Sequence, residues 1–129
     1  MTKNIFLQMS RRERQIMDVV YMLGQATASE IHARMPDRIT DASLRKLVRI
    51  LEAKGFLSHR KQGRQHLYRP TVPREKIQSE AAQHLLKTLF RGSVSDAVSA
   101  LIDATDGQLS AEDMAEIRRL IDSAESEGR

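Results

Sequence analysis

The sequence predicts a mainly α-helical protein of the α+β class, with three short helices, a small two-stranded hairpin and three further helices. Two observations support this prediction. Apolar residues recur at helical spacing in six segments along the chain. A short stretch of alternating residues around a Gly follows the third of these segments. Three helices followed by such a hairpin form the order of a winged helix-turn-helix, which is the fold we expect.

Capping boxes predict where the first two helices begin. In such a box, a Ser or Thr before the helix is followed three residues later by Glu, and each side chain bonds the backbone N–H of the other residue. The two boxes are Ser10 with Glu13 and Thr27 with Glu30. We expect the first helix to run from about Arg11 to Leu23 and stop at Gly24. We expect the second to continue through Ile31 and Met35, where Pro36 ends it.

The third predicted helix has one apolar face and one cationic face. Thr40 can cap its start, and Gly55 stands where a left-handed C-terminal residue is needed. The apolar positions are Leu44, Leu47, Val48 and Leu51, and the opposite positions, called here the cationic face, are Ala42, Arg45, Lys46 and Arg49. A face that is merely solvated mixes charges of both signs, whereas Glu52 is the only exposed acid after the first turn. This face therefore favours binding to a polyanion.

A hairpin with a basic tip follows directly. Residues Phe56 to Arg60 and His66 to Arg69 are predicted strands, and Gln62-Gly63 supplies the turn. We call this hairpin the wing. Its tip contains Lys61 and Arg64, so a cationic loop arises beside the cationic helix.

The segment from Pro70 to Pro73 reads as a linker, because neither a helix nor a strand continues comfortably through it. We therefore expect two domains, residues 1–72 and 73–129. The second domain should begin with a helix from about Arg74 to Phe90, which Gly92 interrupts. Val94 to Ile102 predict the next helix, and Ser110 with Asp113 caps a last one.

The last three helices are too short to bury their apolar stripes alone. A domain of about 60 residues hides only about 60% of the surface of its chain. We expect the remaining apolar faces to pair with a second copy in a homodimer rather than to line a ligand pocket. The candidate dimerisation residues are Ile77, Leu85, Leu86, Leu89, Val94, Val98, Leu101, Ile102, Ile117 and Ile121.

Composition limits the class of partner. Residues 1–72 hold fourteen Lys and Arg against six Asp and Glu, whereas residues 73–129 hold seven against eleven. The first part is therefore suited to a polyanion.

Aromatic residues make up 4% of the chain and Trp is absent, which argues against a base-stacking platform for single strands. No cysteine occurs, which excludes disulfides, thiolate zinc sites and a cysteine nucleophile. The sequence has no signal pattern and no apolar run of about 20 residues, so we expect a cytoplasmic protein. We also expect a binding protein and not an enzyme.

These features predict binding to double-stranded DNA through the third helix and the wing. Residues early in such a helix reach base edges, so Arg45 or Lys46 could bind guanine and Ala42 could contact a thymine methyl group. Lys61 and Arg64 are expected to contact phosphates, as are Arg11 and Arg12. The full candidate DNA-binding set is Thr40, Ala42, Ser43, Arg45, Lys46, Arg49, Lys61, Arg64, Arg11 and Arg12.

Other interpretations of the same residues remain open. His59 and His66 could face each other and suggest a metal site, but two histidines without a third ligand more often face solvent or phosphate, so we expect no metal or other cofactor. Ser43 and Lys46 match a Ser-x-x-Lys nucleophile motif by chance, because the companion motifs are missing. A winged-helix adaptor that binds protein is one alternative function. A small-molecule-responsive repressor is another.

Several motifs, in order along the chain, resemble the penicillinase-repressor family of the BlaI/MecI/CopY type. They are residues 10–17 (SRRERQIM), 26–31 (ATASEI), 51–57 (LEAKGFL), Gly63-Arg64, Tyr68-Arg69-Pro70 and 89–93 (LFRGS). The resemblance implies a homodimeric transcriptional repressor with an N-terminal winged helix and a C-terminal helical dimerisation region. It also implies binding to inverted-repeat operators, with relief by a regulatory protease in the antibiotic-responsive members.

The chain departs from the family pattern at three places. Ile50 precedes Leu51 where family members usually have Arg, and Ala42 and Lys46 replace the usual threonines. The terminal cysteine cluster of the copper-responsive branch is missing, which argues against copper sensing. Ala100-Leu101 stands where the antibiotic-responsive members have the Asn-Phe bond that is cut.

Overall fold

The computed structural model describes residues 5–128. The chain divides into two compact units, one ending at His84 and one beginning at Leu85. The first contains α1 (Arg11–Leu23), β1 (Ala26–Thr27), α2 (Ala28–Ala33), α3 (Asp41–Ala53), β2 (Leu57–Gln62), β3 (Gln65–Pro70) and most of α4 (Arg74–Lys87). The second contains α5 (Val94–Asp103) and α6 (Ala111–Ser126). The domain division at residues 72 and 73 stays a prediction, because compactness within one chain does not show which segment binds which partner.

Both predicted capping boxes are confirmed. Ser10 Oγ accepts from the Glu13 N–H at 3.2 Å, and Glu13 Oε1 accepts from the Ser10 N–H at 2.8 Å. Thr27 and Glu30 make the same pair of bonds at the start of α2. Helix α1 ends as expected, with Gly24 at a φ of 83°. In that left-handed region a Cβ atom is disfavoured, which is why Gly stands there.

Helix α2 is shorter than predicted, since it ends at Ala33 and not at Met35. Arg34 leaves the helical region with a φ of −110°. Pro36 explains the early end, because proline disfavours the helical conformation of Met35 before it and has no N–H to donate to the carbonyl one turn earlier. The loop to α3 consequently begins at Arg34.

The sheet has three strands rather than the two predicted, in the order β1-β3-β2 with antiparallel pairing throughout. The additional strand β1 pairs Ala26 with Tyr68 and Thr27 with Leu67. The wing formed by β2 and β3 is also longer than expected, and Gln62 pairs with Gln65. The turn therefore lies at Gly63-Arg64, one residue later than predicted, with Gly63 at a φ of 65°.

The core of the first unit holds α3 by its apolar face. Leu44, Val48 and Leu51 are fully buried, as predicted, and Leu47 is half-buried against the same core. Ile16 and other side chains from α1, α2 and the sheet complete this core. Burying each large aliphatic side chain contributes about 1.5–3 kcal/mol. The helix cannot rotate without losing that burial, so its cationic face stays outward.

A buried ion pair joins the start of α1 to the end of α3. Lys54 Nζ donates to the two carboxylate oxygens of Glu13 at 2.8 and 3.2 Å and to the carbonyl of Gln8 at 3.0 Å. The Glu13 side chain is only 4% exposed. Burial acts to raise the pKa of the Glu13 carboxyl, but the hydrogen bonds from Lys54 and Ser10 outweigh burial and lower that pKa below its ordinary value. Glu13 therefore stays charged inside the protein.

The second unit, which begins near the end of α4, has no core of fully buried side chains among its described residues. Helix α4 ends at Lys87, three residues before the predicted Phe90, and Gly92 closes the following turn by donating to the carbonyl of Leu86 at 2.7 Å. Ser93 and Ser110 cap α5 and α6 through their hydroxyls. Over the described part of this unit, no residue is fully buried. Between residues 5 and 128, no helix is long and apolar enough to cross a membrane.

Candidate nucleic-acid interface

The cationic face of α3 is exposed along its length, with Ala42, Arg45, Lys46 and Arg49 all open to solvent. The first turn is fixed by Thr40, the residue that caps the helix. Its hydroxyl accepts from the Ser43 N–H at 3.1 Å and donates to Ser43 Oγ at 2.9 Å. The structure therefore brings the predicted residues of α3 together on one exposed surface.

Arg45 has an acidic partner on the same face. Its Nε donates to Asp41 Oδ2 at 2.9 Å, one helical turn earlier, and the two side chains are 53% and 61% exposed. This bond raises the pKa of the Arg45 guanidinium. Across the described residues, no ion pair involves Lys46 or Arg49. Those two side chains are therefore free of a competing carboxylate from residues 5–128.

The wing carries its predicted cations at an exposed tip. Lys61 pairs with His66 across the strands, and Arg64 lies in the turn. Neither Lys61 nor Arg64 belongs to an ion pair in the part of the chain that the structure describes. Both side chains can therefore bind an external anion without breaking an ion pair among the described residues.

A polar cleft of about 310 Å³ lies between the start of α2, helix α3 and the wing. Arg45 lines it from α3, while Arg64 and His66 line it from the wing. Thr27 and Ser29 add hydroxyl groups from the start of α2, and no carboxylate lines it. Its two guanidinium groups and neutral donors can bind acceptors on DNA, either phosphate oxygens or base edges. Sequence reasoning allowed His66 to face phosphate but missed Thr27 and Ser29, because only the folded chain brings them to Arg45.

A stack of side chains fixes the base of the wing to α3. His59 Nδ1 donates to the Glu52 carboxylate of α3. The His59 ring lies parallel to that of His66, with centroids 4.0 Å apart, and Tyr68 meets both rings at an edge-on angle. The two histidines do face each other, as one prediction allowed. Among the described residues, however, no group of three His, Cys, Asp or Glu side chains is placed to hold a metal ion.

Arg11 and Arg12 contact the loop that precedes α3. Arg11 Nη2 lies 3.2 Å from Asp37 Oδ2, and Arg12 Nη2 donates to the carbonyl of Arg38 at 3.0 Å. Gln15 also donates to Asp37, at 3.0 Å. These side chains therefore help to hold the loop between α2 and α3. Their contact with a DNA backbone stays a prediction.

Three comparisons place the chain among known proteins. The sequence profile of the penicillinase repressor family matches residues 9–123. An uncharacterized 16.5 kDa protein from the ptsI 3′ region of Latilactobacillus sakei is 31% identical over 116 residues, covering 88% of this chain and 78% of that protein. The solution structure of the DNA-binding domain of the repressor BlaI matches with a TM-score of 0.50 at 23% identity, covering 59% of this chain and 93% of that domain. BpsR of Bordetella bronchiseptica matches with a TM-score of 0.48 at 15% identity, covering 92% of this chain and 77% of that one. The chain therefore belongs to the penicillinase repressor family, and its first unit is a winged helix-turn-helix.

Proposed function

We propose that this DNA-binding repressor acts as a homodimer that occupies an inverted-repeat operator and blocks transcription by steric exclusion. Family membership supports the repressor role. The observation that carries the DNA contact is the exposed cationic face of α3, which lies beside the basic cleft and wing tip. Lys46 and Arg49 of α3 and Lys61 and Arg64 of the wing have no ion pair among the described residues.

In the proposed interface, one set of residues reads the base sequence and another set supplies affinity by binding phosphates. Helix α3 enters the major groove with the start of the helix toward the base edges, as recognition helices do. Its Arg45, Lys46 and Arg49 can donate to guanine O6 and N7, Ala42 can contact a thymine methyl group, and Ser43 can bond either kind of base. Thr40 fixes the helix start. Lys61 and Arg64 on the wing, with Arg11 and Arg12 on α1, bind phosphates and supply affinity without reading sequence.

We propose that residues 73–129 form the dimerisation domain and residues 1–72 the DNA-binding domain. The second unit supports this by leaving large apolar side chains exposed, among them Leu89, Val94, Leu101 and Ile121. An apolar groove of about 460 Å³ between α5 and α6 is lined by Val98, Leu101, Ile102, Ile117 and Leu120, among others. Such a surface is costly in water and is well covered by an identical partner. Ile77 differs from the other predicted residues, because it packs against the core of the first unit.

Relief of repression by proteolysis would act on the same region. Ala100 and Leu101 lie inside α5, and both are exposed. A protease needs an extended substrate, so α5 would have to unwind locally before the bond between these residues is cut. A cut there would divide one of the helices that form the proposed dimer surface, and the two recognition helices would lose their fixed spacing.

Selection of duplexes from a random pool, using the full-length chain, tests this function directly. We expect an inverted repeat whose half-sites are centred about 10–10.5 base pairs apart, or a multiple of that distance. Sedimentation of the free protein should show a dimer. Enrichment of single half-sites, or a monomer at the concentration used for selection, would contradict the proposed assembly. No enrichment of any sequence would contradict the operator-binding function itself.

A small-molecule-responsive repressor is the second candidate, and one observation favours it. A groove of about 450 Å³ within the first unit is lined mainly by apolar side chains of α1 and α4, including Met17, Tyr21 and Ile77. Asp18 also lines it, and burial raises the pKa of its carboxyl despite the nearby Arg14. Binding of an apolar ligand there should raise the melting temperature and change operator affinity. The adaptor interpretation has no such support, because α3 offers neither an aromatic residue nor a Met as an anchor.

A further inference from the structure

Asp41 is an unexpected residue on a surface that meets DNA. It begins α3, it is exposed, and it lies on the helix beside the cationic face. A carboxylate near DNA phosphates is repelled by them, so this residue lowers affinity unless it performs another task. As the first residue of α3, its charge does favour the helix dipole. Thr40 already caps the helix, however, so capping does not require Asp41.

The hydrogen bond from Arg45 indicates the role of Asp41. Of the five N–H groups of the guanidinium, Asp41 takes the one on Nε, at 2.9 Å. The two terminal amino groups remain available, and together they match the O6 and N7 acceptors of one guanine. An unrestrained arginine loses rotamer freedom when it binds a base. The ion pair restricts the arginine before DNA arrives, so less freedom is lost on binding.

Asp41 also competes with phosphates for the same arginine. On DNA that lacks the matching guanine, a phosphate bound by Arg45 would either stay close to the Asp41 carboxylate, which repels it, or draw Arg45 away and leave Asp41 uncompensated in a strongly negative environment. Lys46 and Arg49 are under no such constraint, since no carboxylate pairs with them in the described chain. The cost of binding a phosphate near Asp41 therefore applies to Arg45 alone, and it should affect preference at one base position.

Building on the proposed DNA-binding function, we propose that Asp41 is a positioning residue that sets specificity by holding Arg45 for one guanine and withholding it from phosphates. Its two effects have opposite signs. It strengthens the preference for the correct base pair, and it weakens binding to random DNA. A residue that only stabilised the helix would change both affinities in the same direction.

Two substitutions separate orientation from charge. Asp41→Ala removes both the acceptor and the charge, whereas Asp41→Asn removes the charge but keeps an amide oxygen that can accept from Nε. For Asp41→Ala we expect the preference at one base position to fall about tenfold. Affinity for random duplex should rise by about fivefold at low salt. For Asp41→Asn we expect the same rise on random duplex, with most of the preference retained.

Base preference is measured with the full-length protein on the selected operator and on all single-base variants of it. Arg45→Ala should lose preference at the same position as Asp41→Ala, and the double variant should lose no more than Arg45→Ala alone. Glu116→Ala is the matched control. It removes an exposed acid that also pairs with an arginine of its own helix, at 2.6 Å, but in the second unit. It should leave every base preference unchanged.

The outcomes distinguish this inference from the function on which it rests. If the unaltered protein prefers no sequence, the proposed function is wrong and the inference falls with it. If the protein has a preference that Asp41→Ala leaves intact, or loses evenly at every position, only the inference is overturned. Circular dichroism checks that α3 is intact. Should the Ala variant fail to fold, the Asn variant decides, because unchanged affinity for random DNA would refute the role of the charge.

Discussion

Replacing Lys54 by Met tests whether the buried ion pair holds α1 against the end of α3. The substitution keeps most of the side-chain length and removes the ammonium group that donates to Glu13 and to the carbonyl of Gln8. Glu13 would remain buried with its hydrogen bonds to the Ser10 backbone and side chain as the remaining charge-stabilising contacts. A hydrogen bond to a charged group contributes about 1.5–3 kcal/mol. The Lys54 side chain is 40% exposed, so solvent screening reduces the effect.

We therefore expect Lys54→Met to lower the free energy of unfolding by about 2 kcal/mol at pH 7. In a unit of this size, that corresponds to a fall of about 10 °C in the melting temperature. Urea unfolding followed by circular dichroism measures the change. Lys46→Met is the matched control, because Lys46 lies exposed on the same helix without an ion pair among the described residues. Its effect should stay within about 0.5 kcal/mol.

The dependence on pH gives an independent check. In the unaltered protein the pKa of Glu13 is lowered, so the pair contributes stability above the ordinary pKa of 4.5 and loses it as the pH falls through the lower folded-state pKa. In the variant, burial acts without Lys54 and raises that pKa, so protonation begins to relieve the buried charge at a higher pH. The difference between the two proteins should therefore shrink from pH 7 to pH 4. Equal stabilities of the two Met variants, or a difference independent of pH, would refute this reasoning.

Three further outcomes follow from the same structure. Lys61→Ala should weaken binding to all sequences alike and reduce the slope of log affinity against log salt by about one, as measured by titration at several salt concentrations. Leu101→Glu places a charge on a side chain that is 66% exposed, and should yield monomers by sedimentation while the exposed control Arg118→Glu stays dimeric. Leu51→Ala should cost about 3–5 kcal/mol in urea unfolding, because the side chain is fully buried.

Elements with local signals were predicted well. Helix α1 and helix α3 follow from capping residues and from apolar spacing, both of which act within a few positions of the chain. Strand β1 could not be predicted, because its two residues form a strand only through pairing with β3, some forty positions later. The early end of α2 could have been read from Pro36, since proline also restricts the residue before it.

The candidate interface was predictable in part, for the same reason. The cationic face of α3 depends on helical periodicity alone, so sequence sufficed to identify it. The pair of Asp41 and Arg45 has a spacing of four, which also predicts contact on a helix. The cleft could not be predicted from the sequence, because Ser29, Arg45 and His66 meet only through packing of α2, α3 and the sheet.

The short strand β1 has a consequence for how the hairpin can adapt. It binds only Leu67 and Tyr68 of β3, near the base, and the contact of Glu52 with His59 secures β2 at the same level. Beyond these points, the described contacts pair Lys61 with His66 and Gln62 with Gln65 within the hairpin, and His66 also stacks on His59. If the wing and α3 bind DNA as proposed, the outer end can follow duplexes of differing groove width while α3 keeps its angle. Adding or removing one residue pair at the outer end of the hairpin would change how far the wing tip extends, while leaving the core of the first unit intact.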